Sequence, residues 1–564
     1  MQSRRDFLKA ALSLAAVTAL GGCQRRLVKP PACAHFDQPQ ASFVADAHCH
    51  IFNSSDLQVG GFINQTQLKV PDTSPLSLIG DLIQELGWRL APSADEELKW
   101  LRKAGSKEGT RPVFAPGLHS LAAQGGPPLD ATIQDMGTNS DERYAEFWRE
   151  VNRRDPARMQ EFTRQVTAFR QRSGFVAAAI EPRMVMSTLQ TAEGVRQQML
   201  LEQRFARADS FNVITFLKPF FRFRTENAWS MLQMYGCDSQ PGVDMLCPAM
   251  VDFDLWLGDA TVDDGRTRSH MDKQLAVMRE IALATQGRVQ GMAAFNPLRA
   301  ACDGGDSLGK ALAAIEQSGC IAFKMYPPMG FQASGNVNAP GTLPACPPRS
   351  AGPIARARLD QVLGDFFDMC ADKGIPVMAH ASESNGAGPG TAEMANPAFW
   401  ADLLGGHAET FLQGTSKLRI SLGHMGGDHD VDKPSAWREQ VAAMMARFPG
   451  QVFADLSYYE HILGDAPTRK ALAGQMGMIG KEGVWQHVMY GSDWDMLGSV
   501  PGAERYLTAF NRFVLDDLRL GEEQARAILG ENAKSFYGLT PGGAGARRLE
   551  KFHGAQVKLP FVTA

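Results

Sequence analysis

From residue 249 onward the chain alternates short, nearly unbroken apolar runs with longer segments whose apolar residues recur every three or four positions. The apolar runs read AMVDFDLW (249–256), VQGMAAFNP (289–297), CIAFKMYPP (320–328), IPVMAHASE (375–383), LRISLGHMGG (418–427), VFADLSYYE (452–460) and VMYGSDWDM (488–496). Runs of this length without strict alternation predict strands buried on both faces, as in a parallel sheet. The segments between them, such as MDKQLAVMREIALATQG and ARLDQVLGDFFDMCADKG, predict amphipathic helices, several closed by a glycine at the C-cap. Two more helices are expected after the last strand, in AERYLTAFNRFVLDDL and GEEQARAILGENAKSFYGL.

One further strand lies far upstream, in VADAHCHIF (44–52). Alternate side chains of a strand share a face, so Asp46, His48 and His50 are expected on one side and Ala45, Ala47 and Cys49 on the other. With this strand the chain has eight, alternating with helices, and the fold class is α/β: a (β/α)8 barrel of the TIM type. An open doubly wound sheet is the alternative, but it calls for a glycine-rich turn after the first strand, where this chain has IFNSSDLQ. Residues 55–248 read as a mainly helical insertion after the first strand, at the C-terminal mouth of the barrel. The insertion's aromatic cluster, Phe216, Phe220, Phe221, Phe223 and Trp229, suits a pocket lining, a membrane contact or, most commonly for such a stripe, plain core.

A chain of 564 residues accommodates one large domain with an insertion, or two domains. The net charge of −4, with no basic block, argues against a nucleic-acid partner. The nine cysteines form no CxxC pair, which disfavours a zinc knuckle or a disulfide framework, although a Cys237–Cys247 bridge is open in an oxidising compartment. Cys49, beside the histidines, is expected to face away from them as a packed thiol. The N-terminus carries SRRDFLK, an apolar run over 10–20, and then LGGC. The run is short for a membrane span, and the order resembles a twin-arginine export signal. LGGC resembles a bacterial lipobox in which Cys23 is lipidated; the simpler alternative is a secretory signal with an incidental cysteine. The organisation expected is therefore a signal peptide (1–22), a tether (23–41), a barrel (42–54 and 249–540), the helical insertion (55–248) and a C-terminal tail (541–564). The protein would be exported and held by its N-terminal lipid on a bacterial membrane, facing the periplasm or the cell exterior.

The apolar runs share one more feature: several end in an ionisable residue. Lys324, His380, His424 and Asp493 each close a strand, and His48 and His50 close the first. Barrel active sites are built from the C-terminal ends of several strands, so these residues are expected to converge. Imidazole and carboxylate together suit a divalent metal, zinc foremost, with manganese or iron as alternatives. His48 and His50 would grip one ion, with His380 and Asp493 completing it, and the metal would lower the pKa of a bound water toward neutrality. Asp46 is read as orienting the site. Asn296, Tyr326, Glu383, Asp428 and His429 sit at or beyond strand ends, where substrate contact and loop hydrogen bonding are equally open, and His461 and His487 look incidental.

In order, DAHCH, FKMYPP, PVMAH, LGHMGG and YGSDWD, closed by GENAKSFYGL (530–539), resemble the amidohydrolase superfamily, in its amidohydrolase-related (metal-dependent hydrolase) branch. The resemblance covers 42–54 and 249–540 and leaves out 55–248. It implies His48 and His50 as ligands of the more buried metal, and Asp493 as a ligand that also shuttles a proton. It implies His380 as a further ligand, and His424 as either a second-metal ligand or the histidine that activates water or polarises substrate. Lys324 matches a position that is a bridging carbamate in two-metal members and a free amine near substrate in others. The activity implied is hydrolysis of a small molecule by metal-activated water. Two alternatives stand beside it: a metal-dependent decarboxylase similar to aminocarboxymuconate-semialdehyde decarboxylase, and a non-catalytic barrel lipoprotein serving as a binding module.

Overall fold

A computed structural model describes residues 43–59, 77–106, 129–154, 217–234, 242–252, 268–303, 306–339, 353–382, 390–406, 418–427, 435–498 and 502–554, with a few shorter stretches. Among the described residues eight strands are present: β1 (Ala45–Cys49), β2 (Met245–Pro248), β3 (Met292–Ala294), β4 (Ala322–Met325), β5 (Val377–His380), β6 (Ile420–Gly423), β7 (Val452–Leu456) and β8 (Val488–Tyr490). Strands β3 to β8 pair in sequence order, β1 pairs with β2, and every pairing is parallel. Single bridges, Leu246 to Val289 and Ala249 to Met292, join β2 to the start of the longer sheet. At the other edge Ser492 N and Asp493 N donate to His48 O at 3.1 and 2.7 Å, so the chain leaving β8 bonds back to β1. The architecture is the TIM-type (β/α)8 barrel with its insertion after β1.

Helices follow the strands as the periodicity requires: α5 (Met271–Ala284), α6 (Pro297–Cys302), α7 (Asp306–Gln317), α8 (Arg356–Lys373), α9 (Ala398–Gly406), α10 (Ala436–Arg447), α11 (Ala466–Gln475), α12 (Tyr506–Arg512), α13 (Asn532–Tyr537) and α14 (Ala544–His553). Helix α8 ends where Gly374 adopts φ +58°, a left-handed cap that favours glycine. The two faces of the strands separate by residue parity. Leu246, Phe323, Val377, Ile420, Leu422, Val452 and Val488 pack outward against the helices. Met245, Cys247, Met292, Met378, Phe453 and Met489 fill the lumen together with Phe43, Phe536, Tyr537, Leu549 and Phe561.

Four features differ from the sequence expectation. Strand β2 lies at 245–248, earlier than the run 249–256, because the apolar MLCP pairs with β1; the insertion ends correspondingly sooner. Alternation along β1 is broken. Ala45 and Ala47 belong to the lumen cluster whereas Cys49 packs outward, and the register to β2 shifts between Asp46 and Cys49. Such an irregularity re-aims a side chain, here His48, which reaches the lumen residues Lys324 and Asp455. The C-terminal segment is no loose tail, since Leu549, Leu559 and Phe561 plug the lumen. Finally, Cys247 is a free buried thiol, which removes the Cys237–Cys247 pairing, and the disulfide present joins Cys302 to Cys346. Cys49 is also free and buried, as expected of a packed thiol.

The described insertion comprises α1 (Ser77–Leu90), α2 (Ala94–Ser106), α3 (Leu129–Arg154) and α4 (Arg224–Met234). Phe220, Phe221, Phe223 and Trp229 are buried, with Phe221 against Tyr144 and Phe147 of α3, so the aromatic stripe is core; Phe216 lies outside the described residues. A buried polar network fastens the insertion to the loop after β1. Arg224 donates bidentately to Asp56, at 2.7 Å from Nε, and from Nη1 to Glu97 at 2.8 Å, while Thr225 N and Oγ1 also donate to Glu97 at 2.7 and 2.6 Å. Asp56 closes a capping box with Asn53, whose amide donates to Pro92 O and Arg222 O. Removing one member would strand a buried charge. Among the described residues no helix is long and apolar enough to cross a membrane.

Candidate metal centre

The residues that close the strands converge at the C-terminal end of the lumen. His50 Nε2 lies 3.1 Å from Asp493 Oδ1, and His48 Nε2 lies 3.9 Å from the same oxygen. His48, His50 and Asp493 therefore offer ligand atoms within 4.8 Å of one another. A second group, His48, His424 and Asp455, meets the same distance. His380 belongs to neither: its Nδ1 sits 3.2 Å from His424 Nε2 and its Nε2 sits 3.1 Å from Ser382 Oγ. Lys324 Nζ is 2.7 Å from His48 Nε2 and almost fully buried.

Hydrogen bonds set how the rings face. His50 Nδ1 donates to Ala249 O at 2.8 Å, and His424 Nδ1 donates to Ser457 O at 3.1 Å. Carbonyl oxygens only accept, so each ring carries a hydrogen on Nδ1 and turns Nε2 inward. Asp46 behaves as an orienting group. It accepts from Ser492 N and Oγ at 3.0 and 2.5 Å and from His48 N at 3.3 Å, tying β1 to the residue before Asp493.

Burial dominates the electrostatics. It pushes the Asp46 carboxyl up to about 7 and, with Lys324 nearby, takes His48 down to about 4. Burial also lowers Lys324 to about 8, against the pull of Asp455 and Asp493. Burial alone would raise Asp493, but the His50 hydrogen bond and the neighbouring His424, His50 and His48 hold it well below the usual carboxylate range. Burial thus favours neutral rings at His48 and His380, and the neighbouring histidines favour an ionised Asp493, the forms in which such groups ligate a cation. Strain gathers at the same place. His424, Met425, Tyr458 and Asp493 all adopt left-handed φ, between +50° and +61°, in the turns that leave β6, β7 and β8. Non-glycine residues hold that conformation only where surrounding structure enforces it, and such positions cluster at functional sites.

Of the secondary candidates, Tyr326 lies ring to ring with His380 at 4.6 Å, at the rim. Asn296 is a helix cap, accepting from Leu298 N and Arg299 N of α6. His487 is tied to Gly450 N and Gly483 O, a structural use. His461 sits in the short turn Glu460–Leu463. Glu383, Asp428, His429 and Cys23 lie outside the described residues. Sequence reasoning passed over Asp455, Ser457 and Ser492. For Asp455 a signal existed: a carboxylate inside the apolar run VFADL is as anomalous as the one that marked Asp493.

Fold and site together define a barrel with a histidine–carboxylate centre suited to a divalent metal. Residues 347–539 match the family model Amidohydrolase, a span that carries β5 to β8 and the helices after them. Over that span, about a third of its length, the chain is similar to the amidohydrolase superfamily. Residues 1–21 match the twin-arginine translocation pathway signal, so the protein is exported across the membrane. No curated protein matches. Among solved structures, a probable 2-pyrone-4,6-dicarboxylic acid hydrolase from Acinetobacter baumannii with citric acid bound aligns over 56% of this chain and 88% of its own, at 15% identity and a TM-score of 0.34. An amidohydrolase from Burkholderia multivorans with bound zinc aligns over 57% of this chain and 91% of its own, at 14% identity and 0.37. A 2,6-dihydroxybenzoate decarboxylase from Rhizobium aligns over 60% and 95%, at 13% identity and 0.36. Likenesses this distant carry no argument about chemistry.

Proposed function

We propose that the protein is a metal-dependent hydrolase of a small molecule, exported and anchored by a lipid on Cys23. The observation that carries the reading is the convergence of His48, His50 and Asp493 within 4.8 Å at the C-terminal end of the lumen. Their donor set, imidazole with carboxylate, fits zinc, with manganese or iron as alternatives. A divalent cation supplies a Lewis acid that acidifies water and polarises a carbonyl. The remaining steps belong to the chain. His48 and His50 hold the cation through Nε2. Asp493, whose oxygen already faces both rings, accepts the proton of the attacking water and returns it to the leaving group. His424 and His380, stacked edge to face with ring centroids 4.8 Å apart, orient the carbonyl or hold a second ion. The Lys324 amine, buried against His48, serves substrate as a donor unless it is carbamylated to bridge two ions.

The test begins with elemental analysis of purified protein, where about one to two transition ions per chain are expected. A panel of esters, lactones and amides, run beside carboxylic acids in ¹⁸O-labelled water, then separates the chemistries. Hydrolysis places ¹⁸O in the product, and decarboxylation releases carbon dioxide. Activity that survives a chelator in metal-free protein would overturn the reading. For the anchor, Cys23→Ala should release the protein from membranes without unfolding it, and continued membrane association would refute lipidation.

A further inference from the structure

Strand β7 contributes nothing to the His48–His50–Asp493 group, yet its end touches two of the central histidines. Asp455 is fully buried, and four donors converge on its Oδ1: His48 Nδ1 at 3.1 Å, His424 N at 3.1 Å, Ser457 N at 3.3 Å and the Ser457 hydroxyl. Ser457 Oγ also lies 3.0 Å from both His48 Nδ1 and His424 Nδ1. A hydroxyl has one hydrogen to give, and Asp455 receives it. Both ring nitrogens must therefore donate, so both rings carry their hydrogen on Nδ1. The far side of His48 agrees, because Lys324 Nζ, a donor, faces Nε2 at 2.7 Å. Tyr459, two residues further on, donates to His424 O at 2.6 Å and pins the strained turn that carries that ring.

We infer that Asp455 and Ser457 are positioning residues, which fix His48 and His424 in the Nδ1–H form so that both present Nε2 to the metal centre. The inference rests on the proposed metal-binding role of His48. A ligating histidine whose second nitrogen donates to a carboxylate is held in orientation and made a more basic ligand. The arrangement also explains a carboxylate in a strand core, because hydrogen bonds to Oδ1 and the nearby Lys324 amine answer its negative charge. The rival role is direct ligation, since Asp455 Oδ2 has no hydrogen-bond partner and Asp455 groups with His48 and His424.

Asp455→Asn keeps the size and replaces an acceptor-only group with an amide. Zinc affinity, measured by competition with a chromophoric chelator, should weaken about 10–100-fold at unchanged stoichiometry. Nitrogen-15 spectra of metal-free, histidine-labelled protein should show Nδ1–H at His48 in the wild type and a shift toward Nε2–H in the variant, the signal being assigned with His48→Gln. Ser457→Ala should move both readouts the same way by a smaller amount. An unchanged tautomer and affinity in Asp455→Asn would overturn the proposal. So would the loss of one whole zinc equivalent with the remainder bound as tightly as before, which would make Asp455 a ligand. If wild-type protein bound no zinc, the metal reading would fail by itself, and the tautomer shift alone would decide the positioning role.

Discussion

The two ends of the barrel lumen are built from the same strands and differ in kind. Toward the N-terminal end the inward positions are Met378, Phe453 and Met489, closed from below by Phe536, Tyr537 and Phe561. Two residues further along β5 and β7 the inward positions are His380 and Asp455, and past β8 comes Asp493. A strand repeats its facing every two residues, about 6–7 Å, so one pleat separates a dry apolar plug from a centre of ionisable groups. The plug supplies the burial that lets the lumen exclude water. The centre concentrates the groups that need low dielectric to act strongly on a substrate. Stability and chemistry are thereby stacked along one axis, and changes at one end should leave the other largely alone.

The largest expected effect is at the chemical end. Asp493→Asn should cut turnover by about 10²–10⁴-fold, since an amide cannot accept the proton from water. Circular dichroism and unfolding temperature should stay near wild type, and steady-state kinetics on any substrate from the panel check the loss. At the opposite end Phe536→Ala, which empties the ring contacts to Phe453 and Tyr537, should cost about 3–5 kcal/mol in urea unfolding. Metal per chain should not change; a parallel fall in metal content would mean that the two ends are coupled. Arg224→Met probes the junction beside the chemical end. By leaving Asp56 and Glu97 without their cation it should cost about 3 kcal/mol, and limited proteolysis should cut the loop after β1 faster.

Two smaller effects sharpen the same contrast. Cys49→Ser introduces a hydroxyl on the outward face of β1 and should cost about 1–2 kcal/mol with metal content and rate unchanged. A loss of metal would mean that the Cys49 side chain faces inward. The smallest effect is a pH dependence at the plugged end. Burial lowers His553 from 6.5 to about 4, and its Nε2 lies 2.7 Å from the Gln290 amide, which donates to a neutral ring. Between those values the unfolded chain binds a proton that the folded chain refuses, so this group's contribution is intact above pH 6.5 and is lost as pH falls toward about 4. His553→Gln should flatten that part of the acid dependence, read as the change in urea midpoint between pH 7.5 and 4.5.

By itself the sequence determined the order of strands and helices, because burial on two faces and burial on one stripe leave different periodicities. It also marked His48, His50, Lys324, His380, His424 and Asp493, since an ionisable residue closing an apolar run has few uses but a site at the strand ends. Tertiary structure alone decided the rest. Asp455 meets His48 across 407 residues, and Asp46 meets Ser492 across 446, distances over which no local pattern carries information. The irregular register in β1, the grouping of His48 and His50 with Asp493 apart from His380, and the pairing of Cys302 with Cys346 have the same origin. Each depends on which neighbour the closed packing brings alongside, and hydrogen-bond direction, not residue type, then chooses the nitrogen that each histidine turns inward.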